Sequence, residues 1–316
     1  MTDAHLADRF ARAALARLPA EVSDWLDQDV VLDELRKALT AAVAKRRDDA
    51  FVARFHARCP VAGASDDDYR SVEVTIDGRA VLLEPRFKGL DPDKSFIEVV
   101  AHEGPADAAL FRGAMDLASE RWSVFKPRAL RTVVWPSAPE GIAANPDLEV
   151  VAGTTTAICE RVAPEAARNL ELVRITDTSG FERFARAYQR FVDGHPVLRD
   201  ELWIPDEATF AKVVEHGHSY DVEVEGTWVG LIAAVPAPFM GARGWIIHEE
   251  LLDESARGCR LAAPMQRGLI ERLHADRAGV VHGTIHHLNV ASLATARRVG
   301  RDVIGRHLFL PLGSDA

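Results

Sequence analysis

No part of this chain restricts its fold as tightly as residues 244–312, where strand patterns alternate with one basic, glycine-bearing turn and two helix patterns. G-W-I-I-H-E-E-L-L reads as a strand, apolar as far as Ile247 and polar from His248. The turn Arg257-Gly258-Cys259-Arg260 feeds Leu261, Met265, Leu269, Ile270 and Leu273, which recur at helical spacing. Pro264 falls in the first helical turn, where a missing N–H costs nothing, so a helix is predicted to start near Leu261 or Ala262. A glycine turn that opens a helix after a strand aims free N–H groups and a positive dipole end at one spot, which suits a phosphate. Arginines flank that spot. V-V-H-G-T-I-H predicts the next strand and N-V-A-S-L-A-T-A-R-R-V a short helix stopped by Gly300.

With 316 residues the chain can bury a large core and form two domains. A net charge of −10 argues against a nucleic-acid partner, which would require a basic face. Against that background Arg257, Arg260 and Arg267 form a local basic patch suited to a small anion. Cys59, Cys159 and Cys259 are too far apart to make a metal pair and fit reduced thiols in a cytoplasm. No apolar run reaches the roughly 20 residues of a membrane span, and the first residues lack the apolar core of a secretion signal.

The N-terminal part opens with a helix pattern at 3–18, ended by Pro19, and one or two more over 21–56. Cys59 to Tyr69 reads as a loop, its three adjacent aspartates being a solvated acidic stretch rather than a cation site. V-E-V-T-I and R-A-V-L-L-E-P flank Asp77-Gly78, a hairpin signal. A strand at 95–101, a helix at 106–122 and a strand at 130–135 follow. D-L-E-V-V-A-G-T-T-T-A-I-C-E-R-V is predicted to be one long strand that completes the first sheet. Strand, strand, strand, helix, strand repeats the order of the C-terminal half, so this region reads as a degenerate copy of the same fold or as an unrelated α+β domain. Its turn H-E-G-P-A-D has no arginine or lysine, so it is not expected to hold the phosphate-bearing ligand of the second half.

Further on, L-E-L-V-R-I-T is a strand, and a helix follows over 179–192 with Ser179 as the expected N-cap and Glu182 at capping-box spacing. A second helix covers about 206–215, and two strands meet across Glu225-Gly226. Over 170–312 this order, with the R-G-x-x-L-A turn, Asn289, Ser292 and Gly300, resembles the acyl-CoA-binding part of the GCN5-related N-acetyltransferases, the GNAT superfamily.

The resemblance implies an α/β fold with a mixed sheet: a GNAT-like domain at 166–316, preceded by a helical and α+β domain at 1–165. It implies an acetyltransferase that moves an acetyl group from acetyl-CoA to a primary amine by direct attack in a ternary complex. Arg257, Gly258, Cys259, Arg260, Leu261 and Ala262 would wrap the CoA pyrophosphate. The strand through Leu251 and Leu252, with Asn289 and Ser292, would meet the pantetheine arm. Glu249 or Glu250 would take the amine proton through water; alternation turns one to each face, and the sequence does not say which faces the cleft. Arg260 stands where the family's second glycine is usual, and Ala296 where many members carry a tyrosine that reprotonates the thiolate. The alternative is a non-catalytic acyl-CoA-binding module.

Histidine supplies another candidate base. His286 and His287 precede Asn289 at a strand end near the expected thioester, and His287 is taken as the candidate. No H-E-x-x-H pattern and no cysteine pair support a zinc site, and no G-x-S-x-G elbow supports serine catalysis. The expected partners are acetyl-CoA and an amine of unidentified structure, with a second copy of the chain as the one assembly allowed for.

Overall fold

In the computed structural model, the described residues are 2–135, 139–164, 169–202 and 204–313. The elements in chain order are α1 (Asp3–Ala16), α2 (Ala20–Ser23), α3 (Gln28–Ala44), α4 (Asp49–Arg58), β1 (Val72–Ile76), β2 (Arg79–Phe87), β3 (Ser95–His102), α5 (Ala108–Arg121), β4 (Ala129–Val134), β5 (Asn145–Thr154) and α6 (Thr155–Glu160). They continue with β6 (Leu170–Arg174), α7 (Phe181–Gly194), α8 (Glu207–Glu215), β7 (Ser219–Val224), β8 (Thr227–Pro236), β9 (Gly244–Leu252), α9 (Ala262–Asp276), β10 (Val280–His286), α10 (Val290–Val299) and β11 (Asp302–Pro311). The chain forms two compact units, residues 1–148 with 304–316, and residues 149–303. No helix among the described residues is long and apolar enough to cross a membrane.

In the first unit the strand order is β1-β2-β3-β4-β11. The β1–β2 hairpin turns at Asp77 and Gly78, both at positive φ as a tight primed turn requires. Leu6, Phe10 and Ala11 of α1 pack with Leu39 and Val43 of α3 over Ala80, Leu82 and Ala101. Alternation along β2 turns Val81 and Leu83 to the other face, and the bulge that makes Val100 an extra residue on β3 puts Ile97 there too, against Phe111, Ala114 and Trp122. The three aspartates are spent locally: Asp66 on His56, Asp67 on Arg70, Asp68 on Arg121 and the Ser65 cap.

In the second unit the order is β5-β10-β9-β8-β7-β6. Met265, Leu269, Ile270 and Leu273 of α9 cover one face with Ile232, Ala234, Trp245 and Val281. Phe184 and Ala187 of α7 and Phe210 and Val213 of α8 cover the other through Leu231, Ala233 and Leu251.

The division differs from the one expected at residue 165, and packing gives the reason. The long strand expected from 147 to 162 stops at Thr154, whose side chain accepts from Ala157 N–H and starts α6. Thr155 then donates its N–H to the Gly279 carbonyl at 2.8 Å and accepts the Gly279 N–H at 3.1 Å, so β5 from residue 149 and α6 belong to the second unit. Strand β11, inside the span 166–316 expected to form the second domain, instead joins the first unit from residue 304, pairing with β4 from Ala129 to Val134. Ser179 does not cap α7: the N-cap is Gly180, without a side-chain bond, and Ser179 instead donates its N–H to Asp177 at 2.8 Å.

Candidate functional site

Strand β9 runs antiparallel to β8 and parallel to β10, but the parallel pairing is short. Its registered pairs are Gly244 with Val280, Trp245 with Val281 and Ile246 with His282; β9 then continues to Leu252 and β10 to His286. The ladder with β8 also shifts between Ala233 and Ala234, so that His248 is an extra residue on β9. Such a bulge bends and twists its strand. The two parallel strands therefore part at the point where the sequence of β9 turns polar.

A cavity of about 220 Å³ lies there, and Glu250, Leu251, Leu252, Arg257, Gly258, Ala262, Asn289 and Ser292 all line it. Eight of the residues named from sequence are thus brought together. Of the two carboxylates it is Glu250 that faces the cavity. Burial pushes its carboxyl up to about 7, against the pull of Arg301 and of a hydrogen bond from Gln266 at 2.8 Å. Arg301, 3% exposed, donates in turn to the Gln266 carbonyl oxygen at 3.3 Å, and burial lowers its guanidinium to about 10. A carboxylate with a pKa near neutrality, open to a cavity on one side and wired to a buried cation on the other, can exchange a proton at working pH.

Glu249 points elsewhere. It is 7% exposed, bonded to His248 Nδ1 at 3.1 Å, and also raised by burial; its charge helps lift the Tyr188 phenol to about 12. His287 does not line the cavity and lies against His286, ring centroids 4.7 Å apart.

The turn keeps its glycine-like geometry with an arginine in it. Gly258 has φ +78° and Arg260 φ +60°, both in the left-handed region, so the arginine adopts a backbone that favours the glycine usual at its place. Helix α9 starts at Ala262 without a side-chain cap, leaving its first N–H groups to the cavity side. Arg257 lies over the Phe191 ring at 4.9 Å and donates Nε to the Leu252 carbonyl at 3.1 Å, while its buried Nη2 has no hydrogen-bond partner among the described residues. Cys259 and Arg260 are exposed, and Leu261 is 5% exposed as a core residue. Asn289 spends its side-chain oxygen on the Ser292 N–H at 3.2 Å, capping α10.

Arg267 leaves the expected basic patch. It is 7% exposed and gives its guanidinium to the carbonyls of Ile158, Cys159 and Arg161 at the end of α6, with Glu271 on Nε at 2.7 Å. Gln266 and Arg301 were not singled out from sequence. Gln266 carried a signal, a polar residue at the 262–266–270 spacing that an inward helix face requires; Arg301, directly after Gly300, carried none.

No family model matches this chain, and no curated protein matches it significantly. Solved structures do. A GCN5-related N-acetyltransferase from Sphaerobacter thermophilus is 13% identical, with 98% of this chain and 95% of that one covered at a TM-score of 0.50. One from Kribbella flavida is 14% identical over 85% of this chain and 96% of that one, at 0.44. A tandem GNAT protein from the clavulanic acid biosynthesis pathway is 13% identical over 86% and 98%, at 0.41. With the parting of β9 from β10, the whole-chain likeness establishes one conclusion: this protein has the fold of the GCN5-related N-acetyltransferases.

Proposed function

We propose that the second unit transfers an acetyl group from acetyl-CoA to a primary amine by direct attack. The observation that carries this reading is the position of Glu250 in the cavity that also holds the uncapped start of α9. The N–H groups at Gly258 to Ala263 and the Arg257 charge would receive the pyrophosphate. The edge of β9 at Leu251 and Leu252, exposed by its departure from β10, would pair with the pantetheine amides, and Ser292 and Thr295 would border the thioester.

Glu250, ionised above pH 7, takes a proton from the bound ammonium directly or through one water. The neutral amine attacks the thioester carbonyl, a C–N bond forms, and the C–S bond breaks as the tetrahedral adduct collapses. The proton that the attacking nitrogen sheds as it becomes an amide passes to the thiolate through water or through the hydroxyl of Ser292 or Thr295, since Ala296 is fully buried and carries none. Thermal unfolding with acetyl-CoA tests the cofactor: ligand at 100 times its dissociation constant adds about 2.7 kcal/mol. Thiol release on adding amines tests the chemistry. The reading fails if millimolar acetyl-CoA leaves the transition unmoved.

A second reading, an acyl-CoA-binding module without turnover, is favoured by the same Ala296 and by the strained Arg260. It expects the thermal shift without thiol release.

We also read the first unit as a decayed copy of the same fold. Its β1, β2 and β3 are antiparallel, α5 crosses, and β4 returns parallel to β3, as β7, β8, β9, α9 and β10 do in the second. Its turn at 103–107 is filled by the protein's own arginines: Arg9 on Glu103, Arg17 on the Gly104 carbonyl, Arg79 on Pro105 and Asp107. That leaves no place for a pyrophosphate.

A further inference from the structure

In the first unit β3 and β4 pair only through Ile97 with Leu130 and Glu98 with Arg131, and then part, as β9 and β10 do. A cavity of about 560 Å³ occupies the opening, well within the size range of small-molecule sites. Phe96 and Trp135 give it aromatic walls, and Gly305 makes room for the indole, since a Cβ there would lie 2.5 Å from it.

One arginine at the cavity has no carboxylate paired with it among the described residues. Arg131 is matched by Glu98 at 3.1 Å and Asp147 at 2.8 Å, and Arg86 by Glu84 at 2.9 Å. Arg17 reaches in from α1 and donates Nη1 only to neutral carbonyls, of His102 at 2.9 Å and Gly104 at 3.2 Å. No carboxylate among the described residues pairs with it. His102 beside it is uncharged, burial holding its imidazole at about 4. A cation held in a half-buried cavity without a counter-charge attracts an anion more strongly than a surface cation does.

We propose that this cavity binds a small organic anion with an aromatic or branched apolar body, its acid group on Arg17 and its body against Phe96 and Trp135. The site is independent of the acetyl-CoA reading of the second unit.

The test is calorimetric titration of the full chain with 3-phenylpropionate, its neutral amide and phenyl phosphate, each with and without saturating CoA. Saturable binding of at least one anion is expected, about tenfold or more tighter than the amide and unmoved by CoA. Whichever of carboxylate and phosphate binds tighter identifies the acid group. Arg17→Gln should weaken anion binding by about the same factor. Ala14→Phe, which removes no side-chain hydrogen bond and fills the cavity from α1, should abolish it in a protein with an unaltered circular dichroism spectrum. Equal binding of the amide, binding that survives Ala14→Phe, displacement by CoA, or no saturable heat with any of the three compounds would each overturn the proposal.

Discussion

Gln266 donates its side-chain amide to Glu250 at 2.8 Å, so the carboxylate at the parting of β9 and β10 is held from the helix behind it. The pH dependence of turnover follows from this contact. A base must be ionised, and burial raises Glu250 to about 7, so kcat/KM is expected to rise with pH through about 7 and level off above it. Gln266→Leu removes a donor to the ionised form, so the rising limb moves to higher pH. A pH profile of both proteins checks it; an unmoved limb means that Glu250 is not the base.

Arg260 at φ +60° carries strain that glycine would not. The left-handed region costs an ordinary residue about 1–2 kcal/mol, and glycine's greater freedom when unfolded returns about 0.5–1 kcal/mol of that. Arg260→Gly should therefore raise stability by roughly 0.5–1 kcal/mol in urea unfolding. No gain would show that contacts of the exposed arginine offset the strain.

Arg267 binds three carbonyls at the end of α6 in place of a ligand. Hydrogen bonds from a charged donor are worth about 1.5–3 kcal/mol each, and acceptors left buried cost more, so Arg267→Met should destabilise by about 3 kcal/mol or above. CoA affinity of the folded variant should stay within about twofold, whereas Arg257→Met should weaken it about tenfold.

His102, 3% exposed, has its imidazole held at about 4 by burial. Its folded value lies below its unfolded value of 6.5, so between these the unfolded chain binds the extra proton. Stability is therefore lost as pH falls from about 6.5 to about 4, by an amount on the order of 3 kcal/mol from this group. Equilibrium unfolding across that range should show the slope, and His102→Gln should flatten it. An equal slope in the variant would assign the acid limb to other groups, His307 among them, also at about 4.

Much of both units was legible because local rules and tertiary packing agree there. Helical spacing from Leu261 to Leu273 and Pro264 in the first turn place the start of α9 at Ala262, and Asp77-Gly78 and Glu225-Gly226 turn at positive φ as their residue types demand. The readings that failed were those in which one residue type serves two ends. Arg267 looks in sequence like an anion ligand, and becomes a helix cap because α6 ends beside it. Thr154 and Thr155 favour a strand by type, yet their hydroxyls cap α6 and bind Gly279.

The sequence by itself determined most of the elements, the turn that opens α9 and the identity of the residues around it, since periodicity, glycine and proline act within a few residues of chain. Only the tertiary structure decided that Glu250 and not Glu249 meets the cavity, because the bulge at His248 sets which face each residue of β9 presents beyond it. It also decided that Arg301 stands behind Glu250 and that β11 closes the first sheet. Those outcomes depend on contacts between distant segments, where burial of charge and edge pairing outweigh local preference.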